Sequence, residues 1–257
     1  MTIKIFNNII RGLIKMRIEP VQPESSVTTD ELFYFYDPAT SYSGSGTTLS
    51  DLSGNNRDAT IVGSPGYVAG TDAYFNFDGI DDYILSPNMY NGIDNKNHTV
   101  EVWINPGPGD LSIWSDVGQT TPNVLYHFAG SQIYEFGATD QIVTNLWNGG
   151  IITTIAGEDD FRNNWIQIIR TYNGSVMKAY INGIFSSQIT TLFQSPWDLT
   201  SGNVWHIAFG AEDITPATDT TANQYSGRYG VIRFYTRELL DSEILENFNA
   251  TRVKYGI

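Results

Sequence analysis

The 257-residue chain contains no cysteine. No disulfide framework and no thiolate metal site can therefore hold it together. It also lacks any apolar run long enough to cross a bilayer. Charged residues are sparse, at 16%, and one-sided, with 28 Asp and Glu against 14 Lys and Arg. Residues 1–19 hold Lys4, Arg11, Lys15 and Arg17 against Glu19, a local +3, so the rest of the chain carries −17 within the net −14. An acidic body repels phosphate backbones and anionic lipid, which argues against nucleic acid as a partner of the main domain. The same charge suits cations such as calcium. A secretion signal is not expected, because Arg11 and Lys15 break the first apolar stretch and no small-residue cleavage site follows.

What the chain does have is aromatic and turn-forming residues: 13% Phe, Trp and Tyr, and 24 glycines. That composition is globular, and the length allows a large core in one β domain. The stretch Phe75-Asn-Phe-Asp-Gly-Ile-Asp-Asp-Tyr-Ile84 reads as strand, tight turn and strand. Phe75 and Phe77 alternate with a polar residue, as a half-buried strand requires, and Asp78-Gly79 tolerates positive φ.

In chain order, residues 3–18 form an amphipathic helix pattern. Ile5, Phe6, Ile9, Ile10, Leu13 and Met16 share one face; Lys4, Asn7, Asn8, Arg11 and Lys15 share the other. Such a face must dock on its own domain, a partner chain or a membrane surface. Pro20 to Thr29 is the linker. Strands are then expected at 31–36, 59–62, 98–104, 124–128, 133–136, 150–155, 165–172, 175–181, 185–192, 204–209 and 228–235, with 41–56 as loop. Asn173-Gly174 and Asn182-Gly183 flank one alternating segment, the strongest hairpin signal in the chain, and predict a three-strand meander. A short helix closes the chain, with Asp241 as its N-cap and Glu243 in its first turn. Many short strands, one terminal helix and no βαβ spacing predict an antiparallel sandwich.

These motifs carry a family resemblance. Phe77-Asp-Gly-Ile-Asp-Asp-Tyr-Ile84 resembles the hallmark of laminin-G-like, concanavalin A-like jelly-roll domains. Thr99-Val-Glu-Val-Trp-Ile-Asn-Pro106 resembles that family's Trp-bearing core strand. Asn164 to Ser175, with Lys178-Ala-Tyr-Ile-Asn-Gly183, resembles its central hairpin. Tyr225 to Leu240, with Glu243-Ile244, resembles its last strand and closing helix. The resemblance covers roughly residues 31–257 and implies two stacked, curved antiparallel sheets. Members bind sugars, bind proteins, coordinate calcium or build assemblies, so the fold alone assigns no function. A Tyr-Gly-Ile tail after the closing helix resembles versions found in phage and viral structural proteins.

The residues offer four kinds of chemistry. The related glucanases carry carboxylates alternating on one strand; here Glu158-Asp-Asp160 is contiguous, Glu101 stands alone on its strand, and His98, His127 and His206 have no nucleophile pattern beside them, so no catalytic residue is assigned. Asp78, Asp81 and Asp82 form a candidate Ca2+ site, with a competing turn reading in which Asp78 bonds its own backbone and Asp82 caps the turn. Trp114, Trp147 and Trp197, in or beside loop-like stretches, are candidate sugar platforms, whereas Trp103, Trp165 and Trp205 are assigned to the core. Ile5, Phe6, Ile9, Ile10 and Leu13 are the expected partner-docking face.

The expectation is an all-β, antiparallel jelly-roll sandwich over residues 30–257, with a short C-terminal helix and a docking arm and linker at 1–29. The expected role is a non-enzymatic virion surface component, a decoration, fibre or spike protein. Its arm binds other virion subunits, the sandwich meets host glycans, and the whole forms a homo-oligomer. The alternatives are a free, extracellular carbohydrate-binding module and, third, a glycoside hydrolase.

Overall fold

The computed structural model describes residues 26–88, 97–107, 111–121, 124–136, 141–145, 153–156, 163–190, 204–211 and 224–257; along 111–156 and at 204–205 it describes the backbone and its pairing alone. The helix expected over residues 3–18, with Ile5, Phe6, Ile9, Ile10 and Leu13, lies outside the described residues.

The described strands are β1 (Leu32–Tyr36), β2 (Thr48–Leu49), β3 (Ala59–Val62), β4 (Gly66–Val68), β5 (Tyr74–Asp78), β6 (Tyr83–Leu85), β7 (His98–Pro106), β8 (Leu111–Thr121), β9 (Val124–Phe136), β10 (Gln141–Asn145), β11 (Thr153–Ala156), β12 (Ile166–Tyr172), β13 (Val176–Ile181), β14 (Ile184–Thr190), β15 (Val204–Phe209) and β16 (Ser226–Tyr235). They form two antiparallel sheets. The first has the order β14-β13-β12-β7-β16-β5-β4, with β1 also on β16; the second has the order β11-β10-β9-β8-β15-β6-β3-β2. One edge of β16 is thus shared: β5 pairs with residues 226–229 and β1 with 232–235.

Alternation sets the core. Phe75, Phe77, Val100, Val102, Ile104, Ile166, Ile168, Tyr229, Ile232 and Phe234 of the first sheet face Ile61, Ile84, Ile207 and Phe209 of the second. Each such side chain contributes roughly 1.5–3 kcal/mol of burial. Strand β7 is buried along its whole length, not on alternate residues, because both faces of its sheet are covered. The outer cover is helix α2 (Asp241–Arg252) and the 3-10 turn Val253–Tyr255 behind it; a one-turn helix α1 (Pro38–Ser41) follows β1.

The meander β12-β13-β14 forms as expected, turned by Asn182 at φ 51° and Gly183 at φ 75°. Other expectations need correction. The two strands read at 124–128 and 133–136 are the single strand β9; its Ala-Gly-Ser segment is absorbed as a shift of register against β8 and makes no turn. Strands β4, β8 and β10 and helix α1 were not foreseen, and the stretch 41–56 read as loop contains the short strand β2, paired with β3. Asp241 is not the N-cap of α2. The chain enters the helix through Leu240, at φ −74° and ψ 154°, and Asp241 is the first helical residue. Its carboxylate is taken by the Tyr180 hydroxyl at 2.7 Å, while Glu243 reaches back to accept from Leu240 N at 2.8 Å.

Candidate functional site

The acidic hairpin joins β5 to β6. Asp78 Oδ1 accepts from Ile80 N at 2.8 Å, and Gly79 sits at φ 80°, the turn conformation that Asp-Gly favours. Asp82 is buried and staples two segments together: its Oδ1 accepts from Ser64 N at 2.8 Å and its Oδ2 from Asp78 N at 3.1 Å. A side chain at Gly63 would not fit there, since its Cβ would lie 2.4 Å from Asp82 Oδ1. Burial raises the Asp82 pKa; the two backbone amides oppose that rise, and the charges of Asp78 and Asp81 add to it.

Asp78, Asp81 and Asp82 each bring a carboxylate oxygen to within 4.8 Å of the others, so the three are close enough to share one hard cation. Two of the three already point at backbone amides, however. The turn reading accounts for Asp78 and Asp82 without a metal.

Of the tryptophans proposed as platforms, Trp114 lies inside strand β8, opposite Phe209 and Ile133 in the ladders, and not in a loop. Trp147, Trp197, Glu158 to Asp160 and the side chains of Trp114, Trp205 and His127 lie outside what is described. Trp103 is buried, but on the outer face beneath α2 and not between the sheets: its ring is parallel to Phe248 at 5.8 Å. Trp165 is only half-buried, stacked on Tyr255 at 4.1 Å.

That covered face holds a polar network that sequence reading did not find. Glu101 is fully buried and its carboxylate accepts four hydrogen bonds. Oε1 accepts from Trp103 Nε1 at 3.0 Å, Gln167 Nε2 at 2.9 Å and Arg233 Nη1 at 2.5 Å. Oε2 accepts from Asn247 Nδ2 at 3.0 Å. Arg233 also donates to Thr251 Oγ1 at 3.0 Å and lies over the Phe35 ring. Both oxygens of this strand carboxylate are thus engaged in structural bonds, three on Oε1 and one on Oε2.

The network ends at the arm. Asn247 Oδ1 accepts from Thr28 N at 2.9 Å, and the Tyr235 hydroxyl donates to Thr28 O at 3.1 Å while accepting from Asn247 Nδ2. The chain therefore leaves residues 1–25 and joins the sandwich beside α2, at the Tyr235 end of β16. The partners lie 12 to 219 residues apart in sequence, which is why no local pattern announced them.

A second device closes the same face. The irregularity between Tyr229 and Ile232 frees the amide of Val231, and the Tyr255 hydroxyl accepts it at 2.9 Å. Gly230 leaves room for this, because a Cβ there would stand 2.2 Å from the Tyr255 oxygen.

The described histidines do not form a base and nucleophile pair. His98 is buried beside Arg170, at 2.8 Å, and burial together with that guanidinium holds its pKa well below the ordinary histidine value. His206 Nδ1 donates to the Ser86 carbonyl at 2.6 Å; the Ser86 hydroxyl instead accepts from Ile207 N at 2.7 Å and donates to Pro87 O at 3.1 Å. Burial lowers the His206 pKa, and the bond to Ser86 opposes that.

Residues 78–245 match the family model described as the concanavalin A-like lectin/glucanases superfamily. No curated protein sequence matches the chain. Among solved structures, the binding domain of botulinum neurotoxin serotype D/C superposes with a TM-score of 0.59 at 16% identity, covering 86% of this chain and 52% of that one. The sialidase of Trypanosoma rangeli, in complex with sialic acid, superposes with a TM-score of 0.65 at 15% identity, covering 99% of this chain and 40% of that one. The neurotoxin domain is also known in complex with SialylT, with a TM-score of 0.58 at 16% identity and the same coverage of 86% and 52%. The chain thus spans about half or less of the length of these proteins, and the likeness is one of fold.

Proposed function

Because the chain belongs to the concanavalin A-like lectin/glucanases superfamily, we propose that it is a non-enzymatic recognition head, a lectin-like sandwich displayed by its N-terminal arm. The assembly that displays it is a virion, in which the chain serves as a decoration, fibre or spike subunit and forms a homo-oligomer. The basic, amphipathic arm docks on neighbouring subunits through Ile5, Phe6, Ile9, Ile10 and Leu13. The outward end meets host-surface glycans.

The observation that carries this reading is the polarity of the first sheet. The arm is tied down at Thr28, beside Tyr235, at one end of β16. The other end of that ten-residue strand lies roughly 26–30 Å away at ordinary strand rise. There Gly107 N bonds Ser226 O at 2.9 Å and Gly79 packs on Ser226, so the Asp78–Asp82 turn gathers at the end remote from the arm. A head held at one end and free at the other suits display.

Support for glycans comes from the neighbouring folds, one solved with sialic acid and one with SialylT. A second complex of the neurotoxin domain, with rat synaptotagmin II, makes a protein ligand the competing outcome. The four structural hydrogen bonds on the Glu101 carboxylate support the non-enzymatic side. A calcium ion at Asp78, Asp81 and Asp82 is the competing reading of the turn, and titration decides between the two.

The test is deletion of residues 1–25, which spares the Thr28 anchor. The truncated protein is expected to fold and to retain glycans but to be missing from purified particles. Incorporation of the truncated chain at the full level would overturn the arm's role. Replacement of Trp114, Trp147 or Trp197 by Ala, with retention on a glycan array, tests each platform separately.

A further inference from the structure

The cover on the first sheet's outer face stops short. Helix α2 and the turn Val253–Tyr255 shield Glu101, Arg233 and Trp103, but beyond Tyr255 the sheet residues Asn76 and Arg228 are exposed. The register places Gly66, Asn76, Arg228 and Asn105 side by side across β4, β5, β16 and β7. All stand on the outer face, because their neighbours Phe75, Phe77, Ile104 and Tyr229 point into the core. Arg228 and Asn76 are exposed, and Tyr74 and Trp165 are half-buried at the margin.

These residues form a shelf. The Tyr74 and Trp165 rings meet edge to face at 5.8 Å, and Trp165 is braced from behind by Tyr255. The Arg228 guanidinium lies 5.1 Å from the centroid of Tyr74. Asn105 donates to Asn163 O at 3.1 Å and so fixes the loop that leads into Trp165. The Asn76 amide makes no side-chain bond among the described residues, and Asn76 is exposed.

Arg233, Arg237, Lys178 and Lys254 each pair with a carboxylate. Among the described residues Arg228, like Arg252, makes no such pair, although acidic residues outnumber basic ones two to one in the chain. An unpaired guanidinium held over an aromatic ring, beside a free amide, presents a planar two-pronged donor to a carboxylate. The aromatic edges offer the apolar face that the C–H side of a pyranose ring stacks on. Gly66 leaves the far side of the row open.

We propose that this shelf of Tyr74, Trp165, Arg228 and Asn76 is a binding site for sugars that carry a carboxylate, a sialic or uronic acid. Arg228 takes the carboxylate, Tyr74 and Trp165 stack on the ring, and Asn76 bonds a hydroxyl. The site lies at the end of the sheet remote from the Thr28 anchor, where a displayed head would meet its ligand. The proposal rests on the recognition reading above and gives it a location and a ligand class.

The test uses the full chain and three probes: 3′-sialyllactose, a glucuronic acid disaccharide, and lactose as the neutral counterpart. Binding is followed by ligand-observed NMR and calorimetry. At least one acidic probe is expected to bind about tenfold or more tightly than lactose, and the stronger of the two identifies the acid. Arg228→Gln, at an exposed position, should abolish that preference with the circular dichroism unchanged. Tyr74→Ala should weaken binding of all three. An acid preference that survives Arg228→Gln would overturn the shelf and leave glycan recognition standing elsewhere on the molecule. Failure of the wild-type chain to retain any glycan, on these probes or on an array, would overturn the recognition reading and the shelf with it.

Discussion

Asn247 of helix α2 donates to Glu101 of strand β7 at 3.0 Å, across 146 residues of sequence. Through its other amide atom Asn247 holds Thr28, so the arm, the closing helix and the centre of the first sheet meet in one side chain. Glu101 is the acceptor on which this junction depends. Glu101→Ala would strand Arg233 as a buried, uncompensated cation, and a loss of about 3–5 kcal/mol is expected in denaturant unfolding. Asn247→Ala should cost about 1–3 kcal/mol and should raise protease sensitivity near Thr28 before the sandwich itself unfolds.

Tyr255 plugs the irregularity in β16. Tyr255→Phe keeps the ring on Trp103 and Trp165 but leaves the Val231 amide without its acceptor, and should cost about 1–3 kcal/mol. Gly230→Ala should cost at least as much, because the new methyl would collide with the tyrosine oxygen. Thermal unfolding of the two variants checks both.

Two carboxylates should give opposite pH signatures. Burial raises the pKa of Asp82, so between the ordinary aspartate value, about 3.9, and its raised value the folded state holds more protons than the unfolded state. The stability contributed by Asp82 is fully present below that window and falls as pH rises through it. The Arg237 bond, opposed by burial and helped by Leu240 N, lowers the pKa of Glu243, so its contribution is full above the ordinary glutamate value, about 4.3, and falls as pH drops through the depressed one. Denaturant titrations against pH should show the first slope vanish in Asp82→Asn and the second in Glu243→Gln.

Calcium should leave the melting temperature within about 1 °C at millimolar concentration, because the turn uses Asp78 and Asp82 for its own amides. A rise of several degrees, abolished by Asp81→Asn, would instead assign the cluster to a cation.

The parts of this molecule that were legible in the sequence are those where local pattern and tertiary role coincide. Phe75 and Phe77 alternate because one face of their strand is core, and Asn182-Gly183 turns a hairpin because both residues accept positive φ. Ala129-Gly130-Ser131 misled for the same reason: its turn-like composition serves a shift in register within one long strand. Asp241 misled because a better partner, Tyr180, lies 61 residues away. Trp103 and Trp165 read alike in sequence, yet one is sealed beneath α2 and the other edges the open shelf. Local pattern does not say how far a terminal helix extends across a sheet. The Glu101 network and the Arg228 row are both assembled across strands, and no window of sequence contains either.

The most direct measurement is to incubate the full chain with a panel of neutral and acidic oligosaccharides and follow both retention and product mass. The account predicts that acidic glycans are retained and recovered with their masses unchanged. Release of a monosaccharide faster than in buffer, or no retention of any glycan, would contradict it.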